Sequence, residues 1–458
     1  MQFYYYLLWI LLLAPLVWYG WRAVLRPEQI FAPPFFVCFG VNFLYVFGYL
    51  SAPAEMNLWF MAPDAYLLLL ILCVLSVYAF IFGHALGHRR RIPESIYTSQ
   101  HKQIPLTYCF AVLAVAYAGL VYFIAVSGGP LKYYSAVHGT AGAWEETTAY
   151  IHALPNFMFP MVFVLFARRR FGLARNPFEG IALWLTLSVL AFQAILFGNR
   201  GDMIRFVLIF GISLVYIGNW RPSRLKLLLP ISAAFAAVLI FPFVREALYL
   251  GAKQDLGKAV IEATEGIASS TNSSDERVRF RREETGNNLY LSAAMIKATN
   301  ENLDIDYGFG WLSIPVGFVP RAFWPEKHEV MARWFKNDLA VAENAVKKWR
   351  VINGASPGGI SDAFIRFWWF APLIWLLFGY WGGRLRKKAQ HEPTIFSVGY
   401  FIAYMIGLTY WVTQNAQAMF SGWFFFVIPL LVAALVPAPH RTKPRTSMKT
   451  ETRKKLQS

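Results

Sequence analysis

Long apolar runs alternate with short polar connections along most of this chain. A helix needs about 20 apolar residues to cross the hydrocarbon core of a bilayer, and eleven runs come near that length. The predicted transmembrane helices are residues 4–21, 31–52, 65–86, 105–127, 153–167, 178–197, 203–219, 227–244, 361–381, 395–412 and 420–437. The pattern therefore predicts an all-α polytopic membrane protein with about eleven transmembrane helices.

One long polar segment interrupts these runs and divides the chain into four parts. The predicted parts are helices 1–8 in residues 1–246, a large loop in 247–360, helices 9–11 in 361–437 and a basic tail in 438–458. Inside the loop, apolar spacing predicts helices at 288–300 and 329–350. The Ser- and Asn-rich stretch 266–284 predicts a mobile segment.

Basic residues are concentrated in alternate short connections. Their positions are Arg22, Arg26, Arg89, Arg90, Arg91, Arg168, Arg169, Arg170, Arg175, Arg221, Arg224, Lys226, Arg384, Arg386, Lys387 and Lys388. All of them fall on one side of the membrane if the helices number eleven. Because cytoplasmic loops carry the excess of Lys and Arg, the N-terminus and the large loop are predicted to lie outside and the C-terminus inside.

The composition supports lipid as the solvent. Only 15% of the residues are charged and 57% are hydrophobic, whereas soluble proteins carry about 25% charged residues. The net charge of +17 does not indicate nucleic-acid binding, because the cations lie in short loops. The three cysteines, Cys38, Cys73 and Cys109, lie inside apolar runs and indicate neither a disulfide framework nor a metal site. No cofactor motif is present either.

Several arginines lie at the predicted outer ends of helices. Because placing a charged side chain near a bilayer costs free energy, such residues often have a functional role. Guanidinium and ammonium groups bind phosphate oxygens through charge-assisted hydrogen bonds. The candidate diphosphate ligands are Arg200, Arg205, Arg245, Arg321, Lys327 and Arg366. The structural alternative is that the arginines pair with neighbouring acids or reach the membrane interface. The acids in question are Asp202, Glu246 and Asp362.

Two outer stretches carry most of the candidate chemistry. The first, 311–329, is stiffened by three prolines and contains the base candidates Glu326 and His328. The second, 353–362, is glycine-rich and leads into the ninth helix, whose free N–H groups suit an anion. Asp362 in this stretch is a third candidate base, or with Ser361 an ordinary helix cap. The further carboxylates Glu284, Asp304 and Asp306 are not distinguished from these by sequence.

At these stretches the chain resembles a family. The run Val319-Pro-Arg-Ala-Phe-Trp-Pro-Glu-Lys327 and the run Ser356-Pro-Gly-Gly-Ile-Ser-Asp-Ala-Phe-Ile-Arg-Phe367 resemble motifs of the bacterial Wzy-type polymerases of oligosaccharide repeat units, the O-antigen polymerases. The turn Gly198-Asn-Arg-Gly201 is similar to a turn in these polymerases and in the related O-antigen ligases. The chain departs from the family at His328, where these polymerases often have proline.

The resemblance implies a GT-C-like, metal-independent glycosyltransferase in the bacterial inner membrane. It would transfer a growing glycan from undecaprenyl diphosphate to the next lipid-linked repeat unit on the periplasmic side. Arg200, Arg321, Lys327 and Arg366 would hold the diphosphate. The implied partners are the lipid-linked donor and acceptor within the bilayer, with a chain-length regulator and a flippase as further candidates. Two alternatives stay open: a ligase that uses another acceptor, and a transporter of the lipid-linked sugar.

Overall fold

A computed structural model describes most of the membrane-spanning part of the chain and pieces of the large loop. The described residues are 2–51, 62–90, 104–126, 153–173, 176–196, 200–220, 276–302, 305–317, 319, 323–326 and 356–436. Every regular element in these ranges is a helix. The predicted helix at 329–350 and the predicted eighth span at 227–244 lie outside the described residues.

Fourteen α-helices are described. They are α1 (Gln2–Leu25), α2 (Pro33–Val41), α3 (Gly48–Ser51), α4 (Pro63–Arg89), α5 (Leu106–Val126), α6 (Met158–Arg170), α7 (Pro177–Leu196), α8 (Arg200–Tyr216), α9 (Glu276–Asn302), α10 (Phe309–Gly317), α11 (Gly358–Phe367), α12 (Ala371–His391), α13 (Ile395–Thr413) and α14 (Ala416–Leu435). A π-helix, Asn42–Phe47, joins α2 to α3. Short 3₁₀ helices at Pro27–Phe31, Leu154–Phe157 and Trp368–Phe370 precede α2, α6 and α12.

The prediction of an all-α polytopic membrane protein is confirmed. Eight helical stretches within the described residues are long and apolar enough to cross a bilayer: Phe3–Leu25, Pro33–Ser51, Pro63–Arg89, Leu106–Val126, Pro177–Ala194, Gly358–His391, Ile395–Thr413 and Ala416–Leu435. The predicted fifth and seventh spans correspond to α6 and α8, which are helices of 13 and 17 residues. The count of eleven therefore stays a prediction.

The predicted ninth span is not one continuous helix. α11 ends at Phe367, Trp368 has a positive φ of 50°, and the 3₁₀ turn then leads into α12. Pro372 in the first turn of α12 explains the break. Its ring would clash with the carbonyl four residues earlier, at Trp368, and it lacks the N–H that a continuous helix would use there.

The tightest helix pair is α4 against α12. A Cβ atom added at Gly83 would overlap the carbonyl oxygen of Leu376, and one added at Gly379 would overlap the carbonyl oxygen of Phe80. Gly87 and Gly383 continue these contacts one turn further along each helix. Both helices thus carry a Gly-x-x-x-Gly spacing, which lets two backbones approach closely in a membrane. The order of the contacts shows that α4 and α12 run parallel.

The basic connections meet at one end of the bundle, which we call the basic end. The Arg386 side chain donates to Gln29 Oε1 at 2.7 Å and to the Tyr216 hydroxyl at 3.4 Å. Arg170 donates to the Gly218 carbonyl at 2.9 Å, and Lys387 donates to the Arg90 carbonyl at 3.1 Å. These are residues from connections that the sequence places on one side of the membrane.

The polar helix α9 packs onto the opposite end, which we call the site end. It includes the helix predicted at 288–300 and begins twelve residues earlier, at Glu276, inside the stretch predicted to be mobile. Lys297 forms an ion pair of 3.1 Å with Asp64 at the start of α4. Burial is the largest single effect and disfavours the charged form of Lys297, but the hydrogen bonds and negative charges of Asp64 and Glu301 together outweigh it and raise the pKa of the ammonium group. α9 is therefore docked on the bundle rather than separate from it.

Candidate functional site

The centre of the candidate site is Arg366, in the last turn of α11. Its guanidinium forms an ion pair with Asp306 and lies 3.7 Å, Nε to Oδ1, from Asp362 one turn earlier on the same helix. The side chains are 12% exposed for Arg366, 16% for Asp306 and 6% for Asp362. Two carboxylates and one guanidinium are thus held together with little access to water, which strengthens their interaction.

The loop before α10 is shaped to hold the Asp306 carboxylate. Gly308 N–H donates to Oδ1 at 3.0 Å, and Gly310 N–H donates to Oδ2 at 3.1 Å. Gly308 has a φ of +85°, a conformation that glycine adopts without steric cost. A Cβ at Gly310 would overlap the Arg366 guanidinium. Asp306 N–H also donates to the Ile365 carbonyl at 3.3 Å, so the loop is fastened to α11.

Asp362 links α11 to the start of α14. Its Oδ2 accepts a hydrogen bond of 3.0 Å from the Ala416 N–H and one of 3.4 Å from Trp311 Nε1. Ala416 is the first residue of α14, where free N–H groups and the helix dipole stabilise a negative charge. This contact places the carboxylate level with the end of α13 and the beginning of α14. The site therefore lies at the end of the bundle rather than at the middle of these two helices.

Trp311 in α10 closes one side of the site. Its ring packs edge-to-face against Phe367 at 5.0 Å, Trp411 at 6.3 Å, and Phe378 and Phe420 at 6.5 Å. Because one indole both packs on four rings and donates to Asp362, it fixes α10 against three membrane helices. The sequence marked Trp311 only as the beginning of the proline-rich stretch.

The beginning of α11 is held by buried hydroxyl groups. Ser292 and Ser361 both donate to the Pro357 carbonyl, and the Tyr45 hydroxyl lies 3.5 Å from the same oxygen. Gly358 has a φ of +74°, and a Cβ there would overlap the Tyr45 hydroxyl. The first residues of α11 are buried against the bundle. The described first residues of α11 are therefore enclosed by the bundle, and the anion site expected at 353–362 stays a prediction.

A second arginine, Arg205 in α8, lies on another side of the end of α13. Its guanidinium donates to Asn156 at 2.8 Å and to Asp202 at 3.0 Å. Its Cζ atom lies 4.9 Å from the centre of the Tyr410 ring and 5.4 Å from that of Phe159. Tyr410 is adjacent in sequence to Trp411 of the Arg366 site. Arg205 therefore contacts α13 one residue before Trp411, which packs on Trp311.

The predicted site residues divide into three groups. Asp362 and Arg366 are in contact, and Arg205 lies against Tyr410 of α13. Arg205 pairs with Asp202 and Arg366 with Asp362, the acids proposed as their partners from the sequence. Glu326 is exposed, and only the backbone of Arg200 is described, in the first turn of α8. Arg245, Arg321, Lys327 and His328 lie outside the described residues. The role of each residue stays a prediction.

The structure singles out one carboxylate that the sequence did not rank. Asp306 is 60 residues from Arg366, and the sequence did not rank it above Glu284 or Asp304. The glycines two and four positions after it were the available signal, because they indicate a backbone that folds back on a short acidic side chain. Among the described residues, no group of His, Cys, Asp and Glu side chains could hold a metal ion.

Comparison of the chain with protein-family models, with curated proteins and with solved structures found no match.

Proposed function

We propose that this protein is a metal-independent glycosyltransferase that polymerises oligosaccharide repeat units linked to undecaprenyl diphosphate. In this proposal it has a GT-C-like organisation and lies in the bacterial inner membrane. Its site end faces the periplasm, with the N-terminus outside and the C-terminus inside. The orientation is supported by the grouping of basic connections at one end of the bundle, because cytoplasmic loops are the ones enriched in Lys and Arg.

One observation carries the proposal. The two stretches that resemble Wzy-type polymerases are separated in sequence, and a residue shortly before the first contacts a residue of the second. Trp311, eight residues before the first run, donates to Asp362 of the second run. Ten residues separate Trp311 from Arg321, an extended reach of at most about 35 Å. Arg321 and Lys327 lie outside the described residues, and their approach to the Arg366 site is part of the proposal.

In the proposed reaction, Arg366 and Arg205 bind the diphosphate of the donor. The bond between the first sugar carbon and the phosphate oxygen breaks, and its electron pair leaves with the diphosphate, whose growing charge the guanidinium groups stabilise. The acceptor hydroxyl forms the new glycosidic bond and gives its proton to a base. His328, Glu326 and Asp362 are the candidates. Asp362 already accepts two hydrogen bonds, so it is better suited to orienting Arg366 than to accepting the proton of the acceptor hydroxyl.

The broken helix α11–α12 is an observation that favours a second candidate, a transporter of the lipid-linked sugar. Transporters often bind their substrates at discontinuous helices near the middle of the membrane. In this chain, Asp362 is bonded to the first N–H of α14, so the charged residues lie at helix ends. That position suits a reaction at the membrane surface better than a path through the bundle.

Deletion of the gene in its source bacterium would distinguish the candidates. Loss of a polymerase leaves single repeat units on undecaprenyl diphosphate at the outer face of the membrane. A glycan-cleaving enzyme added to intact spheroplasts would digest these units. Loss of a ligase leaves polymerised glycan on the lipid, whereas loss of a transporter leaves single repeats protected inside. We expect the first result, restored by the wild-type gene and by Arg170→Lys but not by Arg366→Lys. Polymerised or protected lipid-linked glycan would overturn the proposal.

A further inference from the structure

An apolar cleft opens between α12, α13 and α14, away from the Arg366 site. Its volume is about 410 Å³, within the range of small-molecule sites in proteins, roughly 300–1,000 Å³. Trp381 and Trp423 on its walls are 61% and 37% exposed. Because these helices are long and apolar enough to cross a membrane, we expect the open side of the cleft to face lipid. The lining residues are Phe378, Tyr380, Trp381, Arg384, Leu385, Tyr400, Tyr404, Gly407, Leu408, Met419, Phe420 and Trp423.

The cleft is long and runs along the helix axes. It extends along α12 from Leu385 to Phe378 and along α13 from Tyr400 to Leu408, which is about 10–12 Å at the rise of an α-helix. The remaining lining residues, Met419, Phe420 and Trp423, lie in the first two turns of α14. The cleft therefore runs from Arg384 and Leu385, nearer the basic end, to within about one turn of Ala416 at the site end.

Cations lie at the mouth of the cleft. Arg384 is part of its lining and follows Tyr380 by one helical turn, and Arg90 donates to the Tyr380 hydroxyl at 2.6 Å. Lys387 donates to the Arg90 carbonyl at 3.1 Å. Basic groups between transmembrane helices at this depth are the partners that anionic lipid headgroups select. The charge is at the end of the cleft where a headgroup would be.

The opposite end of the cleft is closed towards the Arg366 site. Phe378 and Phe420, which form that end, both pack against Trp311, and Trp311 is the residue that donates to Asp362. A molecule that enters from the basic end is therefore separated from the carboxylates by an indole ring. The cleft and the candidate catalytic site are different sites.

We propose that the cleft binds an anionic phospholipid of the leaflet at the basic end. Its phosphate lies against Arg384 and Arg90, and one acyl chain lies between α12, α13 and α14. The apolar cleft and the arginines at its mouth together define the occupant. The cleft alone would accept any acyl chain, and the arginines alone would accept any anion. The proposal does not depend on the enzymatic activity.

Photo-crosslinking of the purified full chain in nanodiscs tests the proposal. Phosphatidylglycerol and phosphatidylcholine probes with the same diazirine-labelled acyl chain are compared, and the labelled peptides are mapped. We expect the phosphatidylglycerol probe to label residues 378–385, 400–408 and 419–423 at least several-fold more than the phosphatidylcholine probe. Unlabelled phosphatidylglycerol should compete.

Matched variants separate a specific site from ordinary lipid contact. Arg384→Gln combined with Arg90→Gln should reduce labelling by the anionic probe to the level of the neutral one. Arg170→Gln, which changes an exposed arginine at the same end outside the cleft lining, should not. Equal labelling by the two probes, or labelling unaffected by the double variant, overturns the proposal. So does displacement of the probe by undecaprenyl diphosphate but not by phosphatidylglycerol, because the occupant would then be the substrate.

Discussion

At the residue scale, the candidate site is built on the ion pairs of Arg366 with Asp306 and Asp362. Sequence alone identified Arg366 and Asp362, because charged residues at the end of an apolar run are conspicuous. It could not choose Asp306, since the contact joins residues 60 positions apart through a loop whose path is set by tertiary packing. Nor did it identify Trp311 as a hydrogen-bond donor to Asp362. The orientation of the indole depends on its packing against several aromatic rings from different helices, which a sequence pattern does not show.

Removal of the Asp362 carboxylate tests this centre. Asp362→Ala leaves Arg366 without one of its charge partners and leaves Trp311 Nε1 and the Ala416 N–H without an acceptor. Breaking a buried charge pair in this way typically costs about 3–5 kcal/mol. Asp362→Asn keeps an acceptor oxygen and should cost less. Thermal unfolding in detergent is expected to give midpoints in the order wild type, Asp362→Asn, Asp362→Ala.

Glu301→Ala is the matched control for this comparison. Glu301 lies 3.5 Å from Lys297 in an ion pair and its side chain is 58% exposed, so its loss should cost between about 0 and 1 kcal/mol. If Asp362→Ala unfolds at the same temperature as Glu301→Ala, the carboxylate is not the buried support that the geometry indicates.

At the element scale, hydropathy predicted the long spans well and irregular elements poorly. The predicted span 395–412 is Ile395–Thr413 in the structure, and 105–127 is Leu106–Val126, because an unbroken apolar run is itself the cause of a membrane helix. The break between α11 and α12 was missed, since Trp368, Trp369 and Phe370 are as apolar as a helix interior. The signal was Pro372, which disfavours a continuous helix and which hydropathy does not register.

The parallel pair of α4 and α12 gives the element-scale prediction. Gly83→Ala and Gly379→Ala each place a methyl group on a carbonyl of the facing helix, and overpacking of this kind costs about 1–3 kcal/mol. Both variants should lower the thermal unfolding midpoint. Gly20→Ala in α1 is the control, because a Cβ there meets nothing within 4 Å and alanine favours helix. Unchanged midpoints for Gly83→Ala and Gly379→Ala would mean that the two backbones are not in contact.

At the scale of the whole molecule, the described helices form one polytopic bundle with a basic end and a site end. The distribution of Lys and Arg predicted which connections share an end, and the contacts of Arg386, Arg170 and Lys387 bring such connections together. The arrangement of helices around α13 was beyond the sequence, because lipid-exposed and buried faces are equally apolar and a hydropathy pattern cannot tell them apart.

Labelling of single cysteines tests the proposed orientation. The three native cysteines are buried, so they give a low background with a membrane-impermeant maleimide. Glu301→Cys at the site end should react in intact spheroplasts. Gln390→Cys at the basic end should react only after the membrane is permeabilised. The reverse pattern would place the Arg366 site in the cytoplasm, where undecaprenyl-linked glycans are not yet exported.

The central claim is that the Arg366 site joins lipid-linked repeat units, and it can be measured with purified components. The repeat unit extracted from the deletion strain is supplied as both donor and acceptor to the protein in nanodiscs, and the products are separated by size. We expect a ladder of lipid-linked oligomers from the wild type and from Arg170→Lys. With Arg366→Lys, the ladder should be lost or at least about tenfold weaker, equivalent to about 1.4 kcal/mol of transition-state stabilisation. An undiminished ladder from Arg366→Lys, or no ladder from the wild type, would contradict the account.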